Sequence, residues 1–158
     1  MLIRPAHEDD AGKACEVLRR SIVELCEADH HGDPDILMRW LANKTIGNVA
    51  AWIRDPDHRI FVADDGGRIL AVGGIKTSGE ITLNYVSPDA RFRGVSRAMM
   101  ARLEETAAAD GHDDTFLTST QTARRFYLSI GYRPAGEPQR KLGTDASYPM
   151  RKQLPAGA

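Results

Sequence analysis

The sequence predicts a mixed α/β (α+β) fold in which a largely antiparallel sheet is flanked by helices. Two observations carry that prediction. Three apolar, β-prone runs lie in tandem between Arg59 and Val86, joined by the turn signals Asp64-Asp65-Gly66-Gly67 and Thr77-Ser78-Gly79. That is the pattern of an antiparallel meander. On both sides of this block, apolar residues recur at helical period, and helices of that kind bury their apolar stripe against a sheet. The resulting order, β-α-α-β-β-β-α-β-α-β-β, lacks the strict alternation of a Rossmann fold. No Gly-Lys-Ser/Thr marks a Walker-type nucleotide site.

Each element has a local reason. Leu2 and Ile3 suit a short first strand. His7-Glu8-Asp9-Asp10 supplies capping and acidic residues before Ala11, Ala14, Cys15, Leu18, Ile22 and Leu25, which follow helical spacing. Ala28 to Pro34 reads as a polar break, Ile36 to Leu41 as a second helix, and Val49 to Ile53 as a short further turn ending near Pro56. The meander strands are expected over Arg59–Ala63, Ile69–Ile75 and Glu80–Val86. From Val95 to Ala107 the period is helical again, with Gly111 as the C-terminal stop. A strand over Thr115–Ser119, a helix through Ala123, Phe126, Tyr127 and Ile130, and closing strands at Tyr132-Arg133 and Ser147–Leu154 complete the chain. Nothing divides it, so one domain over residues 1–158 is expected.

A formal charge of −1 argues against a general nucleic-acid binder, which needs a broad basic surface. No apolar run reaches membrane-spanning length, and the first residues lack a signal-peptide core. The cysteines, Cys15 and Cys26, have neither zinc nor redox spacing, which leaves them as small core residues outside any site. No metal and no membrane contact are expected, and a reducing cytoplasm is.

The most informative segment is Asn84 to Arg97. A β-prone run ends at Pro88, and a short basic loop with Gly94 at its centre opens a helix. The first N–H groups of a helix lack intrahelical partners and carry the positive end of its dipole, so they favour an anion such as phosphate. Arg91, Arg93 and Arg97 add charge for phosphate oxygens, and Gly94 lets the backbone approach a bulky anion. A loop of solvated arginines is the simpler alternative.

Here the chain resembles the GNAT superfamily of N-acetyltransferases. Arg91-Phe92-Arg93-Gly94-Val95-Ser96 is similar to the family's Arg/Gln-x-x-Gly-x-Gly/Ala, with Ser96 at the last position. Serine keeps the approach open and its hydroxyl can donate to phosphate. Thr120 to Tyr132 resembles a second element, Asn-x-x-Ala-x-x-Phe-Tyr-x-x-x-Gly-Phe/Tyr: Ala123, Phe126, Tyr127, Gly131 and Tyr132 agree, and Thr120 replaces Asn. The likeness runs from about Ile3 to Leu154.

The resemblance implies the GNAT fold, with central parallel strands that splay apart to admit the pantetheine arm of acetyl-CoA along Asn84, Tyr85 and Val86. It places the pyrophosphate on Arg91, Phe92, Arg93, Gly94, Val95, Ser96 and Arg97, with Thr120, Ala123 and Tyr127 also at the coenzyme. It makes Tyr127 the general acid for the leaving thiolate, against a simple packed aromatic beside Phe126. Glu80 is the candidate base, directly or through water; period-2 geometry sets Glu80, Thr82 and Asn84 on one strand face, although Glu80 also fits a residue that merely flanks a turn. The family builds its acceptor site near the break holding His30 and His31, which a solvated loop would explain equally. The implied activity is direct acetyl transfer to an amine, of a small molecule or a peptide, without a covalent acyl-enzyme. A non-catalytic acyl-CoA-binding module and transfer of a longer acyl group are the rival readings. Family members commonly form homodimers.

Overall fold

The computed structural model describes residues 1–140, 143 and 146–155; residues 141, 142, 144, 145 and 156–158 of the domain expected over 1–158 lie outside the described residues. Among the described residues seven strands are present: β1 (Leu2–Pro5), β2 (His58–Asp65), β3 (Arg68–Lys76), β4 (Ile81–Val86), β5 (Asp114–Ser119), β6 (Arg133–Pro134) and β7 (Tyr148–Gln153). The helices are α1 (Ala11–Leu25), α2 (Glu27–His30), α3 (Pro34–Leu41), α4 (Ile46–Arg54), α5 (Val95–Ala109) and α6 (Arg124–Ser129). Two of these differ from the sequence reading. The polar break contains α2, one turn that stops where His31 and Gly32 take positive φ. The turn near Val49 is a full helix, α4, started by the Thr45 side chain, which accepts from the Asn48 N–H at 3.1 Å.

Strands β1-β2-β3-β4 form one antiparallel sheet and β5-β7-β6 a second. The two meet where Glu80 bridges Phe116 in parallel sense and the Phe116 N–H donates to the Gly79 carbonyl (3.3 Å). Beyond that bridge β4 and β5 leave one another, which is the splay the resemblance implied.

Strand β3 is buried from Ile69 to Ile75 because helices cover both faces. Met99, Met100 and Leu103 of α5 join Phe61, Leu70, Ala71 and Tyr127 in the core on one face; Ala14 and Leu18 of α1 and Val49 of α4 join Val62 and Val72 on the other. Gly73 sets how closely α5 approaches, since a Cβ there would lie 2.5 Å from Met99 Sδ. Among the described residues no helix is long and apolar enough to cross a membrane.

Candidate active site

The splay opens a cleft of about 500 Å³ between β4, β5, the start of α5 and α6. Its strand wall has free backbone groups for a geometric reason. The Ser87 N–H donates to the Leu70 carbonyl at 2.7 Å, and antiparallel bonding alternates, so Tyr85 and Leu83 are the β4 residues bonded to their β3 partners Val72 and Gly74. The N–H and C=O of Asn84 and Val86 therefore point away from β3, to the β5 side where no strand pairs with them.

At the cleft mouth the chain makes a short turn at Pro88–Ala90, opened by the Ser87 hydroxyl accepting from the Asp89 N–H. Asp89 ties this turn to α1 through Arg20 at 3.0 Å. Phe92 and Gly94 then both take positive φ, +64° and +74°, before α5 begins. The first helical bond is from Ala98 N–H to the Gly94 carbonyl (3.1 Å), leaving the N–H groups of Val95, Ser96 and Arg97 without an intrahelical acceptor. No ion pair holds Arg91, Arg93 or Arg97 among the described residues. Every expected coenzyme-binding residue lines this cleft except Arg93.

Tyr127 reaches the same cleft from α6. The Thr120 hydroxyl accepts from the Ala123 N–H (3.1 Å) and so closes the turn that leads into this helix. The ring packs edge-on against Phe126 and Tyr132. Asn84 Nδ2–H donates to the Tyr127 hydroxyl at 3.2 Å, so the phenol keeps its own proton for another acceptor. The other end of that amide, Asn84 Oδ1, is buried without a hydrogen-bond partner among the described residues. Burial pushes the Tyr127 pKa up to about 12, the Asn84 bond opposing it. Cys26 also lines the cleft, which corrects the expectation that neither cysteine lies at a site. Desolvation pushes its thiol up to about 12.

An acetyltransferase (GNAT) domain profile matches residues 41–154, more than half of the sequence. The chain belongs to this family. No functionally curated protein matches it. Among solved structures it is similar to the GCN5-related N-acetyltransferase (aminotransferase, class-II) of Rhodopseudomonas palustris, at 23% identity and TM-score 0.85 over 97% of this chain and 95% of that one. It is similar also to the PaiA N-acetyltransferase of Thermoplasma acidophilum in complex with coenzyme A (15% identity, TM-score 0.78, 97% and 98% covered). YncA of Salmonella typhimurium, solved with its cofactor acetyl-CoA, matches at 20% identity and TM-score 0.75 over 100% and 96%. At these identities the likeness is one of fold.

A second cleft of about 320 Å³ adjoins the first across this GNAT splay and shares Ile81, Thr82, Tyr85, Thr118 and Thr120 with it. Glu80 lines the second cleft only. The expectation that Glu80, Thr82 and Asn84 share one face fails because β4 is bulged: Ile81 pairs with Ile75, but Leu83 pairs with Gly74. Thr82 turns to the α1 side, where its hydroxyl meets His58 Nε2 at 2.6 Å, while Asn84 faces Tyr127. His30 is 2% exposed and both ring nitrogens are engaged: Nε2–H donates to the Ile22 carbonyl (2.9 Å) and Nδ1 accepts from the Gly32 N–H (2.9 Å). Neither His30 nor the exposed His31 lines either cleft.

Sequence reasoning missed Lys44, and it took Asp29 only as one acid of the break that holds His30 and His31. Asp29, 1% exposed, accepts from the N–H of Gln121 (2.7 Å) and of Thr122 (3.1 Å) and from the Thr122 hydroxyl. It anchors the loop that delivers Tyr127. Its acidic neighbours in sequence hid it, for a contact across more than ninety residues leaves no local pattern.

Proposed function

We propose that this protein is a cytoplasmic acetyl-CoA-dependent N-acetyltransferase that moves an acetyl group directly onto the amine of a small acceptor. The residues present fit the coenzyme. The outward backbone groups of Asn84 and Val86 and the orphaned Asn84 Oδ1 suit a chain of amides such as pantetheine. The Val95–Arg97 donors with Arg91 and Arg97 suit a pyrophosphate.

Bound acetyl-CoA supplies the thioester carbonyl that the amine nitrogen attacks. Tyr127 shares its proton with the departing sulfur. The state of the phenol supports this role: burial keeps Tyr127 protonated, and the Asn84 amide donates to its oxygen, leaving the phenolic proton for another acceptor. Glu80, or water held beside it, takes the proton that the amine must lose. Cys26 itself stays a neutral thiol, unfit as a nucleophile, which favours direct transfer.

The Asn84–Tyr127 pair, set beside the open edge of β4, is the observation that carries the reading. Calorimetric titration with coenzyme A, followed by thiol release from acetyl-CoA across a panel of amines, tests it. Binding followed by amine-dependent release is expected. Binding with no release above the amine-free rate for any amine would leave a non-catalytic acyl-CoA-binding module.

A further inference from the structure

The second cleft carries charge beyond the Glu80 carboxylate that the transfer chemistry uses. Among the described residues its wall holds three charged side chains, Asp29, Lys44 and Glu80. Asp29 is spent on Gln121 and Thr122. The Lys44 ammonium donates only to the neutral Asn43 Oδ1, at 2.9 Å, and has no carboxylate within ion-pair distance among the described residues. Glu80 likewise has no cation within that distance. Lys44 and Glu80 therefore line the same small cleft without pairing with one another. Partly buried charges held apart in this way are stabilised by counter-charges brought from outside. In keeping with that, burial lowers the Lys44 pKa.

We infer that the acceptor is a compact amine bearing a carboxylate of its own, a free amino acid or similar amino-carboxylate, with its carboxylate on Lys44 and its amine beside Glu80. The inference rests on the N-acetyltransferase reading and names the substrate class for it. Cleft size agrees: about 320 Å³ stands at the small end of the roughly 300–1,000 Å³ usual for ligand pockets. The remaining wall suits a zwitterion as well. Trp40 offers an apolar face, and Thr118, Ser119 and Ser147 offer hydroxyls around it. A polyamine or amino sugar would instead bring further cations against Lys44, with Glu80 the single uncommitted acid of the described wall.

The test compares matched triplets: a free amino acid, its carboxamide and the amine left when the carboxylate is removed. Each is titrated calorimetrically into the coenzyme A-saturated protein and assayed with acetyl-CoA. The free amino acid of at least one triplet is expected to bind about 10–100-fold more tightly than its two partners, the range for one hydrogen bond to a charged group. Lys44→Gln should erase that preference and Lys44→Arg should keep most of it, both with wild-type affinity for coenzyme A. Lys44 supports the surrounding fold through its backbone, the carbonyl accepting from Cys15 and Arg19 and the N–H donating to the Leu41 carbonyl, so both variants keep those bonds. Equal or better binding of carboxamide and plain amine, or no binding by any triplet to a protein that does bind coenzyme A, overturns this inference alone. Failure to bind coenzyme A overturns it together with the reading on which it rests.

Discussion

Replacing Tyr127 by Phe removes one oxygen and separates catalysis from packing. The ring keeps its edge contacts with Phe126 and Tyr132. The loss falls on Asn84: its Nδ2–H now lacks the 3.2 Å acceptor while its Oδ1 is already unpartnered. An unsatisfied buried donor costs about 1–3 kcal/mol. For a chain of this size each kcal/mol lowers Tm by about 2–4 °C, so a fall of roughly 2–12 °C is expected, with coenzyme A affinity nearly unchanged. Turnover should drop by roughly 10²–10⁴, the usual range for a general acid. Burial holds the Tyr127 pKa at about 12, above its value in water, so the phenol stays protonated and wild-type turnover shows no alkaline decline from this group below pH 10. Thermal unfolding and steady-state rates from pH 6 to 10 measure all of this. A variant with a lowered Tm but wild-type turnover refutes the acid role and leaves Tyr127 as a packed aromatic.

Gly94→Val should weaken coenzyme A binding severely; its new Cβ meets open space, so the harm comes from forcing a β-branched residue to φ +74° at the head of α5. Unchanged affinity by calorimetry would remove the phosphate-loop assignment. Arg91→Ala should lose about 1.5–3 kcal/mol of that affinity and Arg93→Ala distinctly less, because Arg93 does not line the cleft. Glu80→Gln should lower turnover most near neutral pH and recover as pH rises and free amine accumulates; a raised KM with preserved kcat would instead make Glu80 a binding group. Asp29→Ala should destabilise the fold by about 2–4 kcal/mol by stranding the Gln121 and Thr122 donors, and an unchanged Tm would show that the anchor is dispensable.

Legibility in the sequence follows the range of each interaction. The loop from Arg91 to Arg97 and the Thr120–Tyr132 element are local: a glycine at positive φ in the first, and a side-chain bond from Ala123 back to Thr120 with a helical period in the second, each lie within one short segment, so the proposed coenzyme side is legible in the sequence. α4 was underestimated for a related reason, since Thr45 is a good cap and its small residues weaken the apolar stripe. The second cleft could not be read at all. It gathers Asp29, Lys44, Glu80, Thr118 and Ser147 from separate elements, and only the folded chain shows that Lys44 has no acidic partner among the described residues or that both His30 nitrogens are already engaged.

The bulge in β4 is where local reading and tertiary structure part most instructively. Period-2 geometry assumes an unbroken ladder, and the extra residue between the Ile81 and Leu83 pairings shifts every later side chain by one face. Before the bulge, Glu80 addresses the second cleft; after it, Asn84 addresses Tyr127 and the open backbone edge. Without the bulge Asn84 would turn to the α1 side and the Tyr127 hydroxyl would lose its donor. In the proposed reaction one short strand thereby serves the acceptor on one side and the departing sulfur on the other, and the two proton transfers fall to groups that do not compete for one another.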